Sequence, residues 1–205
     1  MSTTLILIRH GETPHNRDKR YQGHRDTSLT TEGKRQTREI ALRLRDEPLD
    51  AIYSSDLKRT RYMAEVINSY HSLKINILPE LREIDFGDWE GKTYNEIQRE
   101  WKGLLGGWEK EPSKIKIPNG ENIKDLAGRV KFAIKKIISN RPDQRIAIVT
   151  HGGPIRIILM DALDLGLDDW WKTITSNGGI SIIEYQSKRA EVLFQNDTSH
   201  LKENR

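Results

Sequence analysis

The sequence predicts an α/β fold built on a largely parallel sheet. Three observations point there. Short apolar runs alternate with amphipathic segments along the chain. Two of the runs, Leu5-Ile6-Leu7-Ile8 and Ile146-Ala147-Ile148-Val149, are continuous, as strands buried on both faces are. Each of these two runs leads into a histidine followed by glycine, His10-Gly11 and His151-Gly152.

Taken in order, Leu5–Ile8 is the first buried strand. Residues 29–46 carry Ile40, Ala41 and Leu44 at helical spacing, behind Thr30 or Thr31 as N-cap. Ala51-Ile52-Tyr53 is a short strand. Ser54-Ser55-Asp56 then offers caps for a helix that buries Met63, Val66 and Ile67. Ile75-Asn76-Ile77-Leu78 is a third strand, closed by Pro79. Residues 92–120 hold Gly103, Gly106, Gly107, Pro112, Pro118 and Gly120, and read as an irregular excursion on the substrate side. From Asn122 a helix places Ile123, Leu126, Val130, Ile134, Ile137 and Ile138 on one face. Arg145–Thr150 is the second buried strand, followed by a helix starting near Pro154. Ile180–Tyr185 and Glu191–Phe194 form a terminal hairpin around Ser187-Lys188, and the polar residues 198–205 are expected to fray.

Composition narrows the function. The 205 residues, 35% hydrophobic and 31% charged, can bury most of their unfolded surface in one core, so residues 1–205 are read as one domain. There is no cysteine, which excludes disulfide frameworks, zinc-thiolate and iron–sulfur sites and cysteine nucleophiles, and fits a cytoplasmic protein. No apolar run is long enough to cross a membrane, and Met1-Ser2-Thr3-Thr4 lacks the pattern of a signal peptide. Thirty-four Lys+Arg against thirty Asp+Glu give a net charge of +4 and a pI near 9.2. That suits an anionic partner, but without a basic stripe it does not favour nucleic acid.

In an open α/β sheet, ligands bind beyond the carboxyl ends of the strands. Two such ends carry His10 and His151, so both imidazoles are expected at one edge. Arg9 supplies a fork of donors suited to phosphate oxygens, and the Leu57-Lys58-Arg59-Thr60 turn supplies a second arginine. Two arginines and two histidines around one oxyanion make a phosphate pocket that needs no metal. Phosphoryl transfer chiefly requires positioning and stabilisation of charge on the equatorial oxygens. A neutral imidazole is a competent nucleophile near pH 7 when its other nitrogen donates to a carbonyl. A leaving alkoxide then needs a proton from a carboxylic acid, and Glu83, just past the third strand, is a candidate.

These residues resemble the signature of the histidine phosphatase superfamily, the phosphoglycerate-mutase-like fold. The match opens with Leu7-Ile8-Arg9-His10-Gly11-Glu12-Thr13 and Asn16. It continues through Tyr21-Gln22-Gly23, Leu29-Thr30 with Gly33 and Gln36, and Ser54-Ser55-Asp56-Leu57 with Arg59. Leu81-Arg82-Glu83, Phe86-Gly87, Trp89-Glu90-Gly91, Pro118-Asn119-Gly120-Glu121 and Val149-Thr150-His151-Gly152-Gly153 complete it. The resemblance implies a three-layer α/β/α sandwich and no cofactor or required metal. It implies His10 as the nucleophile, Arg9, Arg59 and His151 as phosphoryl ligands, and Glu83 as the proton donor. Gly11, Asn16, Gln22, Gly23 and Gly152 would bind phosphate or substrate. The segment Glu83-Ile84-Asp85-Phe86-Gly87-Asp88-Trp89-Glu90-Gly91 looks like the phosphatase branch, with α-ribazole and broad-specificity phosphatases, rather than the mutases. Thr37, Thr60 and Met63 stand where alanine, alanine and threonine are commoner in the family.

Each residue also has a plainer reading. Arg59 can belong to a solvated helix face with Lys58 and Arg61, Asn16 can cap a turn, and Asp85 or Asp88 rivals Glu83 on spacing. His15 and His24 read as surface residues that can border a cleft, and His71 and His200 as solvent-facing. Among the five tryptophans, Trp101 and Trp108 are expected nearest the substrate; Lys114 and Lys116 would meet a second anionic group or solvent. The expected function is metal-independent hydrolysis of a small phosphorylated metabolite through phosphohistidine. The alternatives are mutase-type transfer and a non-catalytic phospho-ligand module on the same fold. A homodimer through the terminal hairpin edge is compatible with the sequence.

Overall fold

The structure, a computed structural model, describes residues 2–186 and 189–202. Six strands form one sheet: β1 (Ser2–Arg9), β2 (Ala51–Ser54), β3 (Ile75–Ile77), β4 (Arg145–Thr150), β5 (Ile180–Gln186) and β6 (Arg189–Asp197). Their order is β3-β2-β4-β1-β5-β6. The first four run parallel, whereas β5 is antiparallel to β1 and β6 to β5, so the sheet is mixed. The helices are α1 (Pro14–Arg17), α2 (Thr31–Leu44), α3 (Lys58–Asn68), α4 (Tyr94–Lys110), α5 (Ile123–Asn140) and α6 (Gly152–Ala162).

The alternation of a strand sorts β1 between two cores. Leu5 and Leu7 join Ile146, Ile148 and the apolar faces of α4, α5 and α6. Ile6 and Ile8 join Ala147, Val149 and the faces of α2 and α3. Helical layers therefore cover both sides, and the centres of β1 and β4, Leu5–Ile8 and Ile146–Val149, are apolar because neither face meets water. In the register of that parallel pair Arg9 lies opposite Thr150, so the next residues of both strands, His10 and His151, leave the sheet side by side.

Three expectations are corrected. Residues 92–120 are not irregular: most belong to α4, opened by a capping box in which Thr93 and Glu96 satisfy each other's backbone N–H groups. A Cβ at Gly103 or Gly106 would meet nothing within 4 Å, so these glycines cost only propensity, about 1 kcal/mol each. Burial of Ile97, Leu105 and above all Trp108, roughly 4 kcal/mol for the indole alone, outweighs that. The break shows instead as a kink at Trp101 (φ −134°, ψ 42°). The residues before the predicted tail end are ordered: Ser199–Leu201 form a 3-10 turn, and half-buried His200 reaches the Gly178 carbonyl through Nε2 at 3.0 Å. Residues 203–205 and the hairpin residues Ser187-Lys188 lie outside the described residues, while β5 and β6 pair as expected. Finally, α3 starts after Leu57 without a side-chain cap, because Ser54 and Ser55 are committed elsewhere. Among the described residues no helix is long and apolar enough to cross a membrane.

Candidate active site

The site is built on the carboxyl ends of β1 and β4. His10 is buried (2% exposed), its N–H accepted by the Thr150 carbonyl across the parallel pair. Its Nδ1 donates to the Gly11 carbonyl at 2.7 Å, which leaves the Nε2 lone pair for chemistry. Burial first, then the positive charges of Arg59 and Arg9, hold this imidazole well below the ordinary 6.5, so it is neutral. Gly11 is needed because a Cβ there would collide with the Gly33 backbone; it sits behind His10 rather than on the cleft wall.

His151 is wholly buried, and its ring centroid lies 5.1 Å from that of His10, edge-on at 64°. Arg59, 1% exposed, binds the two together. Its Nε–H is shared between His10 Nε2 (3.3 Å) and His151 Nδ1 (3.2 Å). Nη1 and Nη2 donate to the carbonyls of Arg25 (2.9 Å) and Gly23 (2.8 Å). Desolvation, only partly opposed by Glu83 and Asp26, pulls the Arg59 guanidinium down to about 10, still protonated at neutral pH. His151, held low by burial and by Arg59, has one ring N–H to place. With Nδ1 accepting from Arg59, that proton is on Nε2 and is donated to Ser55 Oγ at 2.7 Å. Ser55 in turn donates to Thr60 Oγ1 (2.7 Å), and Thr60 to the Leu57 carbonyl (2.8 Å).

Arg9 anchors one nitrogen on the Thr175 carbonyl at 2.6 Å; its Nε is buried without a partner. Glu83 faces it. Glu83 Oε1 accepts from the N–H groups of Ile84 and Gly153, both at 2.9 Å, which leaves Oε2 as the oxygen for a mobile proton. The Glu83 loop is pinned from three sides. Arg129 donates to the carbonyls of Glu80, Arg82 and Glu83, His24 Nε2 meets the Glu83 carbonyl at 2.9 Å, and Thr150 Oγ1 holds the Leu81 carbonyl. The rivals Asp85 and Asp88 bind Gly87 N–H and Asn119 instead, so Glu83 is the only acid lining the cleft among the described residues.

The cleft holds about 300 Å³ and includes Arg9, His10, Asn16, Gln22, Gly23, Arg59, Glu83 and Gly152. Asn16 does both things the sequence allowed. It completes the α1 capping box with Thr13, and with its Oδ1 satisfied by Thr13 and Asn177 its Nδ2 remains a donor. Gln22 is buried and fully committed to Thr13, Arg25 and Thr27. Gly23 needs its positive φ of 56°, which turns its carbonyl onto Arg59. Gly152 opens α6, and its N–H has no protein acceptor among the described residues. That is the site a helix N-terminus offers an anion.

The far wall is mostly unanticipated. Trp108 lines it as expected, but Trp101 does not; it stacks under Lys92 on the surface. Lys114 and Lys116 are not on it either, Lys114 being paired with Glu111. Tyr21, Phe86, Trp170, Trp171 and Arg156 complete the wall. Arg156 was legible in principle, since it follows Gly152 by one helical turn and so shares its face. Arg129 carried no such signal, because its three carbonyl partners come from a loop distant in sequence.

Known proteins resemble this chain along nearly its whole length. The pattern of the histidine phosphatase superfamily (branch 1) matches residues 5–198. Phosphoserine phosphatase 1 of Hydrogenobacter thermophilus is 33% identical over 199 residues, 97% of this chain and 94% of that protein. The structure of Bacillus stearothermophilus YhfR superposes with a TM-score of 0.92 at 32% identity, covering 98% and 100% of the two chains. The α-ribazole phosphatase from Shigella flexneri gives 0.87 at 30% identity, with 95% and 96% covered.

Proposed function

The chain belongs to the histidine phosphatase superfamily, branch 1, and from that premise we propose that it hydrolyses a small phosphomonoester through a phosphohistidine on His10. The observation that carries the proposal is the convergence of two neutral imidazoles on a single guanidinium N–H at the strand ends. In the resting site Arg59 Nε–H occupies the His10 lone pair. A phosphoryl oxygen is a stronger acceptor and takes that N–H, which frees Nε2 for in-line attack. Arg9, Arg59, the Gly152 N–H and Asn16 Nδ2 share the charge on the phosphoryl oxygens. The bond to the leaving oxygen breaks as the nitrogen–phosphorus bond forms, and Glu83 Oε2 supplies the proton. In the second half Glu83 takes a proton from water, the hydroxide displaces His10 from phosphorus, and inorganic phosphate leaves.

Fixed guanidinium charge does here what a metal ion does elsewhere, so the reaction is proposed to run without metal. Hydrolysis is favoured over mutase-type transfer because the segment 84–91 that follows Glu83 carries no basic residue to retain a dephosphorylated intermediate beside it. The test is turnover of a phosphate-labelled aryl phosphate quenched in alkaline detergent, with and without chelator. Labelled, acid-labile and base-stable protein should accumulate with wild type and be absent in His10→Ala, whose turnover falls by at least about 10⁴-fold. Wild-type-like turnover by His10→Ala ends the mechanism, and loss in chelator restored by metal ends its metal-free form.

A further inference from the structure

Among the described residues that line the cleft, Arg156 is a partly buried cation that the reaction just described leaves without a task. It projects from α6 one turn, about 6 Å, beyond Gly152. That places it on the Glu83 side, where the leaving group departs. Its Nη1 is committed to the carbonyls of Trp170 and Thr173. The guanidinium is flanked by Trp170 and Trp171, 5.5 and 5.7 Å from the ring centroids. Among the described residues no acceptor takes Nε or Nη2, and no carboxylate pairs with it.

The charge of the whole cleft sharpens the point. Five cations line it, Arg9, Lys19, Arg20, Arg59 and Arg156, against the single acid Glu83. Arg20 is neutralised by Glu96 outside, at 3.0 Å. A phosphomonoester dianion answers Arg9 and Arg59. Arg156, with Lys19 at the rim, still lacks a counter-ion, and a partly buried charge without one is costly. Nε–H and Nη2–H form one edge of the fork, two parallel donors that match the two oxygens of a carboxylate.

We propose that Arg156 is the specificity residue of a second subsite, and that the substrate is a phosphomonoester whose leaving group carries a carboxylate a few bonds from the ester oxygen. The proposal rests on the phosphatase reading above. Arg156 binds the carboxylate through Nε and Nη2 beside the buried Trp170 ring and the half-exposed Trp171 ring, and thereby aims the ester oxygen at Glu83.

Matched substrate pairs test it: O-phosphoserine against phosphoethanolamine, and 3-phosphoglycerate against glycerol 3-phosphate, each pair differing at the carboxylate carbon. Wild type should prefer the carboxylate member in kcat/KM by about 10- to 100-fold, what two charge-assisted hydrogen bonds supply. Arg156→Met should bring the ratio to within about threefold of one, and Arg156→Lys should restore part of it. A wild-type ratio near one overturns the subsite. So does an equal loss on both members of each pair in Arg156→Met, which would make Arg156 only a brace for residues 170–173. A preference for bisphosphates over the carboxylate members overturns the choice of anion. If no phosphomonoester is hydrolysed, the phosphatase reading has failed, and calorimetric binding of the same pairs to wild type and to Arg156→Met still decides the subsite by the same ratio.

Discussion

The two ends of the cleft are made by different means. At the phosphoryl end each donor is held by backbone: His10 by Gly11, Arg59 by the carbonyls of Gly23 and Arg25, Glu83 by two amides. At the other end the walls are side chains from α1's flank, α4, α6 and the segment 167–175, stacked edge to face, with Trp108 against Phe86 and Trp170 at 6.3 and 6.2 Å. The first end fixes a reaction; the second admits a substrate. A backbone-held group tolerates little displacement, whereas a wall of rotatable rings can be recut without disturbing the chemistry.

If that division holds, substitutions at the phosphoryl end should lower kcat for every substrate, and substitutions at the other end should alter substrates unequally. The largest effect short of removing His10 belongs to Glu83→Gln. It keeps an acceptor for the Ile84 and Gly153 amides but no transferable proton. The first step with alkyl phosphates should slow by about 10²–10⁴-fold, and with nitrophenyl phosphate far less, because that leaving group needs no acid. Equal slowing of both, read by burst kinetics, would refute the acid assignment. Arg59→Lys comes next, at about 10²–10³-fold in kcat across all substrates. One ammonium cannot serve two imidazoles and two carbonyls at once. A loss confined to some substrates would move Arg59 to the other end of the comparison.

The same contrast explains what was legible in the chain. His10 and His151 were readable because each terminates its own apolar strand, and parallel pairing of those strands leaves the next residues no choice but adjacency. Glu83 was readable only beside the family pattern; its spacing alone did not separate it from Asp85 and Asp88, and what does so is a brace of Arg129 and His24 from other elements. Helix α4 was misread because three glycines and a weak local pattern outvoted a capping box, while its formation depends on burying Trp108 against Trp89 and Trp170, contacts no local window contains. Trp170 and Trp171 were missed for the same reason, whereas Arg156 was overlooked although its helical spacing from Gly152 could be read in the sequence.

Acid should weaken the fold through the phosphoryl end. His10 and His151 titrate well below 6.5 when folded and near 6.5 when unfolded, so below that value the unfolded chain binds more protons. Their contribution is complete above about pH 6.5 and shrinks as pH falls below it, by up to about 1.4 kcal/mol per pH unit for each group. His15 and His200 are also lowered by burial and add in the same direction. Denaturant melts between pH 7 and 5.5 should show this slope, and His10→Asn should flatten it. An unchanged slope would mean that the buried imidazoles are not what acid attacks.

The finest probe of the backbone-held end is Thr60, where a methyl side chain is commoner in the family. Its hydroxyl accepts from Ser55, which leaves a Ser55 lone pair for the His151 Nε2–H. Burial first, then Arg59, His10, Arg9 and Arg129, oppose a proton on His151, whereas a hydroxyl chain that accepts its Nε2–H favours one. If His151 acts as a phosphoryl ligand in the proposed reaction, it does so doubly protonated, with Nδ1–H given to the anion. In Thr60→Val the Ser55 proton is free to swing onto Nε2, which favours the neutral ring. The alkaline limb of kcat/KM should then move down by about half a pH unit, the worth of one neutral hydrogen bond, with kcat at pH 6 nearly unchanged. Thr60→Ser should restore the limb, because it restores the hydroxyl and not the methyl. A uniform loss at all pH values, not rescued by Thr60→Ser, would mean that Thr60 only packs, and that Ser55 holds His151 without it.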